Sequence, residues 1–168
     1  MIRKKFICSL ICMLSAIVLT ACSSGGDSTD INNNSGSGGD GGGSSTPTGV
    51  ASDKPTDWAV PVKQWNSSMM IMIESSDVPA DVLSGDMMAA FIAGECRAVC
   101  QPVNDADGKI RFRLNVLATA DDTNTSVPSV ELRYWSAKEY RMWHTDGIKY
   151  IEEGMIGTSD AGYKPTWK

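Results

Sequence analysis

The chain has 168 residues, 20 Asp and Glu against 15 Lys and Arg, and a single histidine. A net charge of −5 with no basic patch argues against a nucleic-acid partner and against attachment to anionic lipid by charge. One histidine also rules out a zinc centre built on two or three imidazoles.

The first element in the chain is a targeting segment. Residues 1–21 open with Arg3, Lys4 and Lys5, run through apolar residues from Phe6 to Leu19, and reach small residues before Cys22. A short apolar core with a basic flank and a small-residue exit is a secretory signal peptide, too short for a permanent transmembrane helix. The stretch Leu19-Thr20-Ala21-Cys22 resembles a bacterial lipobox. That resemblance implies cleavage before Cys22 and lipidation (palmitate among the acyl chains) of that cysteine. The covalent lipid is then the only cofactor expected, and the membrane is the first partner. Several acyl chains anchor stably, because each buried methylene contributes about 0.8 kcal/mol. Loss of the three signal cations takes the net charge from −5 to −8. Ser23 follows the cysteine where an inner-membrane lipoprotein would carry Asp, which by analogy favours the outer membrane, on either its periplasmic or its surface side.

Residues 22–52 read as a disordered linker. Nine glycines and seven serines between positions 23 and 50 leave almost nothing apolar to bury. Such a tether holds its ends roughly 30 Å apart on average. Its glycines do not form a phosphate loop, since no GK[ST] follows.

Residues 53–168 read as one all-β domain, an antiparallel β-sandwich of about six or seven strands. Period-two alternation places strands near 67–75, 87–93, 96–103, 109–118, 128–136 and 139–145, with a weaker one near 147–152. The connections carry Gly, Pro, Asp and Asn, and no stretch outside the signal has a convincing amphipathic helical pattern.

Within GDMMAAFIAGECRAVC, Gly94-Glu95 suits a two-residue type II′ turn. That register sets Phe91 opposite Ala98 and Ala89 opposite Cys100, and puts Met87, Ala89, Phe91, Ala93, Cys96, Ala98 and Cys100 on one face. Cysteines four apart on one strand are separated by about 13 Å, too far for a disulfide or a shared ion. Cys96 and Cys100 are expected to be buried, inert thiols, the alternative being a bulge that brings them together.

The order of Trp65 to Met69, GDMMAAFIAGECRAV, KIRFRLNVLA, VELRYWSAKEYRMW and GMIGTSDAGYKP resembles a β-sandwich module of Bacteroidota envelope lipoproteins. The resemblance covers roughly residues 58–168, and AAF…GECR is its most specific part. Ala98 stands where that module usually has glycine after GECR. The resemblance implies an envelope location and a non-catalytic role, and names no site residue.

Candidate chemistry is sparse. His144 lacks any companion motif for a Ser-His-Asp site. Glu152 and Glu153 point to opposite faces if extended, so they do not form a carboxylate pair. Asn104 to Gly108 hints at a calcium loop, but an EF-hand would need an oxygen ligand at Val103 and Glu at Leu114; a hairpin turn explains the residues more simply. Asp121 and Asp122 lie in another loop, with nothing to bring them to a common ion. Met70 and Met72 share a strand face and, with His144 and Trp143, offer soft copper(I) ligands; core filling is the commoner use of methionine. No metal site is expected.

The hairpin VELRYWSAKEYRMWHT holds the best candidate surface. With Ala137-Lys138 as its loop, Trp135 faces Tyr140, Arg133 faces Met142 and Glu131 faces His144, all on one outer side. Val130, Leu132, Tyr134 and Trp143 form the core side. A one-residue slip would exchange the faces. Aromatics among hydrogen-bonding groups suit a glycan or protein ligand. The expected function is therefore a lipid-anchored, non-enzymatic module for binding or adhesion. The alternative is a structural subunit of an envelope protein assembly.

Overall fold

Period-two burial builds two sheets that close on one core. The computed structural model describes residues 47–124 and 126–168; the signal peptide expected over 1–21, Cys22 and the linker up to residue 46 lie outside the described residues. In chain order the strands are β1 (Val50–Ala51), β2 (Ser67–Glu74), β3 (Met87–Ile92), β4 (Glu95–Cys100), β5 (Val103–Asn104), β6 (Ile110–Ala118), β7 (Ser129–Ser136), β8 (Arg141–His144), β9 (Ile148–Lys149) and β10 (Met155–Ile156). The seven expected strands are present. Three two-residue strands (β1, β5 and β10) are additional, and β1 falls within the stretch read as linker.

One sheet has the order β1-β8-β7-β3-β4, with β9 also on β7; the other has the order β10-β2-β6-β5. Pairing is antiparallel except between β10 and β2. Met69, Ile71 and Ile73 of β2 and Phe112, Leu114 and Val116 of β6 are fully buried. They face Met88, Ala90, Val130, Leu132 and Tyr134 of the larger sheet across the core. The core side expected for the 128–145 hairpin is therefore correct.

Met72 is buried on the other side of β2, and Met70 lies partly covered beside Met155 of β10. His144 is on β8 of the other sheet, and Trp143 points into the core. The sandwich thus divides the suggested soft-metal set between two layers.

The β3–β4 turn differs from the expected one. Ile92 pairs with Glu95, so the loop is Ala93-Gly94, both with positive φ (51° and 80°). Positive φ at both positions marks the type I′ geometry, whose twist matches that of the strands. One register shift follows. Phe91 pairs with Cys96, but Ala90 pairs with Ala98, which leaves Arg97 as the extra residue of a β-bulge. The bulge sends Cys96 to the outer face and Ala98 and Cys100 to the core side. The expectation of one shared face fails for this reason. The cysteines are free thiols on opposite faces, Cys96 buried and Cys100 half-buried. Burial pushes the Cys96 thiol up, and pushes Cys100 up to about 12.

The Asn104–Gly108 turn is a hairpin, closed by the Asp105 and Gly108 amides. Its carboxylates are taken by arginine: Asp105 Oδ2 lies 2.5 Å from Arg111 Nη1, and Asp107 Oδ2 lies 2.6 Å from Arg111 Nη2. The 119–124 loop contains a helix missed in the sequence, α1 (Ala120–Asn124). Thr119 and Asp122 cap it reciprocally, with Asp122 Oδ2 accepting from Thr119 N and Thr119 Oγ1 accepting from Asp122 N. Asp122 also receives Arg97 Nη2 at 2.9 Å, so it is committed to an ion pair. Glu153 Oε1 accepts from the Ser68 amide, a structural use of one of the two adjacent glutamates.

Candidate functional site

The β7–β8 hairpin forms the candidate surface, two residues out of the expected register. Trp135 pairs with Met142 and Arg133 with His144, so the loop is Ala137 to Tyr140 rather than two residues. A slip of two leaves every side chain on its face. Glu131, Arg133, Trp135, Met142 and His144 therefore do share the outer side.

Their exposure divides them into two ends. Trp135 is only 3% exposed, which corrects its assignment as a surface anchor. The residues before β2 cover it: Trp135 Nε1 donates to Ser52 O at 3.0 Å, and Trp58 and Val60 pack into the same small outer core with Ala89, Phe91 and Cys96. Tyr140 stays 62% exposed at the loop, its ring edge-on to Trp135 with centroids 6.0 Å apart. At the other end Arg133 lies over Phe91, its guanidinium carbon 4.1 Å from the ring centroid, and its Nε donates to Glu131 Oε1 at 2.7 Å. Trp135, Tyr140, Arg133, Glu131 and His144 thus do not form one continuous contact surface.

A cleft of about 400 Å³ opens at that second end. Phe91 and the Ala93-Gly94 turn form one wall, Ser129 and Glu131 the floor, and His144 to Gly147 the other wall. The end of β8 carries the exposed imidazole of His144, and the β8–β9 connection the carboxylate of Asp146, to the rim. Both carboxylates already hold a cation, Glu131 with Arg133 and Asp146 with Lys168 at 2.5 Å. Lys168 is held at this rim because its N donates to His144 O and its Nζ pairs with Asp146.

A larger hollow, about 640 Å³, lies at the opposite strand ends between residues 75–82 and Glu139. Its charged lining is Glu139 and Asp81, the latter paired in solvent with Lys138, and no aromatic ring lines it. The smaller cleft is chemically better equipped. Among the described residues no three His, Cys, Asp or Glu side chains converge as a metal site requires.

Two contributors escaped the sequence reading. Trp58, in a Pro-flanked polar stretch, gave only the weak signal of a bulky aromatic without periodicity. Asp86 is completely buried and accepts from Tyr134 OH (2.6 Å), Ala137 N (2.8 Å) and Leu83 N (3.1 Å), tying the turn before β3 to the β7–β8 loop. Burial and this bond push the Tyr134 phenol up. Comparison with known protein families, with curated proteins and with solved structures gives no match.

Proposed function

We propose that this is a lipid-anchored envelope protein whose β-sandwich is a non-catalytic binding module. In this proposal the cleft between Phe91, Glu131, His144 and Asp146 takes a polyhydroxylated ligand, the chemical class of a glycan residue. The observation that carries it is the convergence of a ring, an imidazole and two carboxylates from three separate segments on one cleft. The carboxylates accept from sugar hydroxyls and the imidazole can accept or donate, while the buried Phe91 ring under Arg133 gives the cleft an apolar wall. Engagement of both carboxylates by cations suits hydroxyl recognition better than proton transfer. The anchor part of the proposal rests on the Leu19-to-Cys22 motif, and the outer-membrane location on Ser23.

The test is retention of the full chain, in detergent, on a polysaccharide panel. Glu131→Gln and His144→Ala should each weaken retention at least about tenfold, roughly 1.4 kcal/mol, with melting unchanged. Wild-type chain that retains no glycan but co-purifies with envelope proteins would replace this reading with the structural-subunit one.

A further inference from the structure

Residues 53–62 cross the outer face of the larger sheet and are held unequally along their length. Before them the hold is polar and dense. β1 pairs with β8, Ser52 N donates to Tyr140 O at 2.9 Å, and Arg141 Nη1 donates to the carbonyls of Thr48 and Gly49. After them Lys63 pairs with Glu95, and Asn66 N donates to Ala118 O. Between these clamps, among the described residues, no backbone group of residues 53–64 bonds to the sandwich; the bonds there are local, Ala59 N to Asp57 O and Ser52 Oγ to Asp53 O. Trp58 is the only buried side chain of the span, edge-on to Phe91 with centroids 5.9 Å apart. Beneath it lie Ala89, Phe91, Cys96 and Trp135.

We propose that residues 53–62 are a strap that lifts as a unit while the sandwich stays folded, with Trp58 as its latch. Local openings draw on segments with few backbone bonds to the body, and here the attachment is two side chains, the buried Trp58 indole and the half-buried Val60. Pro55 and Pro61 stiffen the span, and the clamps at both ends return it to its seat. Phe91 touches Trp58 on one side and lines the cleft on the other. Lifting therefore uncovers the Phe91–Trp135 surface next to the cleft, with the Arg133 side chain lying over Phe91 between them. The lifting does not depend on which ligand the cleft takes.

The bulge supplies the probe, because Cys96 lies under the strap and Cys100 on the opposite face. The full-length chain is alkylated with iodoacetamide under native conditions and read cysteine by cysteine by peptide mass spectrometry. Cys96 should react at least about tenfold faster than global unfolding allows, at a rate far less sensitive to low urea than global unfolding because lifting exposes only the small outer core. Trp58→Ala should accelerate Cys96 by a further tenfold or so while leaving Cys100 unchanged, with Trp58→Phe intermediate if the alanine variant does not fold. Cys96 labelling that tracks global unfolding, or Trp58 variants that speed both thiols equally, would overturn the strap.

Discussion

Trp135 and Tyr140 began as equivalent anchors on one face and end in different roles. The indole is sealed beneath Ser52 and the strap, whereas the phenol stands at the loop in solvent. Trp135→Ala should therefore act on stability, lowering the unfolding free energy by about 3–5 kcal/mol as truncation of a buried aromatic does. A denaturant titration measures this, and ligand retention per folded molecule should be unchanged. A normal unfolding midpoint with lost retention would restore Trp135 to the site. The face of Trp135 was legible because alternation in a strand is strict. Its burial was not, because the covering residues come from a distant segment with no periodic signal.

Each of the two hairpins shows how turn geometry decides what strand patterns leave open. In β3–β4 the loop shifted by one residue, and Arg97 entered as a bulge, so only the half next to the turn keeps the outer face. Ala93 bears the cost, since a left-handed backbone is unfavourable for a residue with a Cβ by roughly 1–2 kcal/mol. Ala93→Gly should accordingly raise the melting temperature by about 4 °C, corresponding to about 1 kcal/mol. A lowered melting temperature would show that the alanine methyl packs usefully at the cleft wall. In β7–β8 the slip was two residues, Glu131 and His144 kept their side, and they reached the cleft. The even slip preserved the site assignment where an odd one would have destroyed it.

Across the whole molecule, Arg111 joins parts far apart in the chain. It is buried, holds Asp105 and Asp107 of the β5–β6 turn, lies 3.5 Å from Glu74 at the end of β2, and donates Nη2 to Ser159 O at 2.7 Å. The Arg111 guanidinium holds Asp105 below the usual carboxylate range and Asp107 down to about 2; Lys109, with Arg111, lowers Glu74. Folding lowers these pKa values, so the ionised forms favour the native state. Their contribution is complete above about pH 5 to 6, where the unfolded carboxyls are also ionised, and is lost as pH falls through that range toward 2. Melting curves should show stability falling across that window. Asp107→Asn should lower stability at neutral pH and flatten the acid decline, whereas an unchanged pH profile would remove the network from the stability balance.

The sequence by itself determined the all-β class, seven of the strands and the core face of the β7–β8 hairpin. Those follow from local alternation, which any strand buried on one side must obey. Tertiary structure alone decided that Trp135 is covered and that Cys96 and Cys100 part to opposite faces. It also decided that Asp86 is buried on Tyr134, and that Phe91, His144 and Asp146 meet around one cleft. These depend on a bulge, on turn conformations and on contacts between distant segments. Residue alternation carries no record of them, because the energies that choose between registers come from packing across the sandwich and from the chain that crosses its outer face.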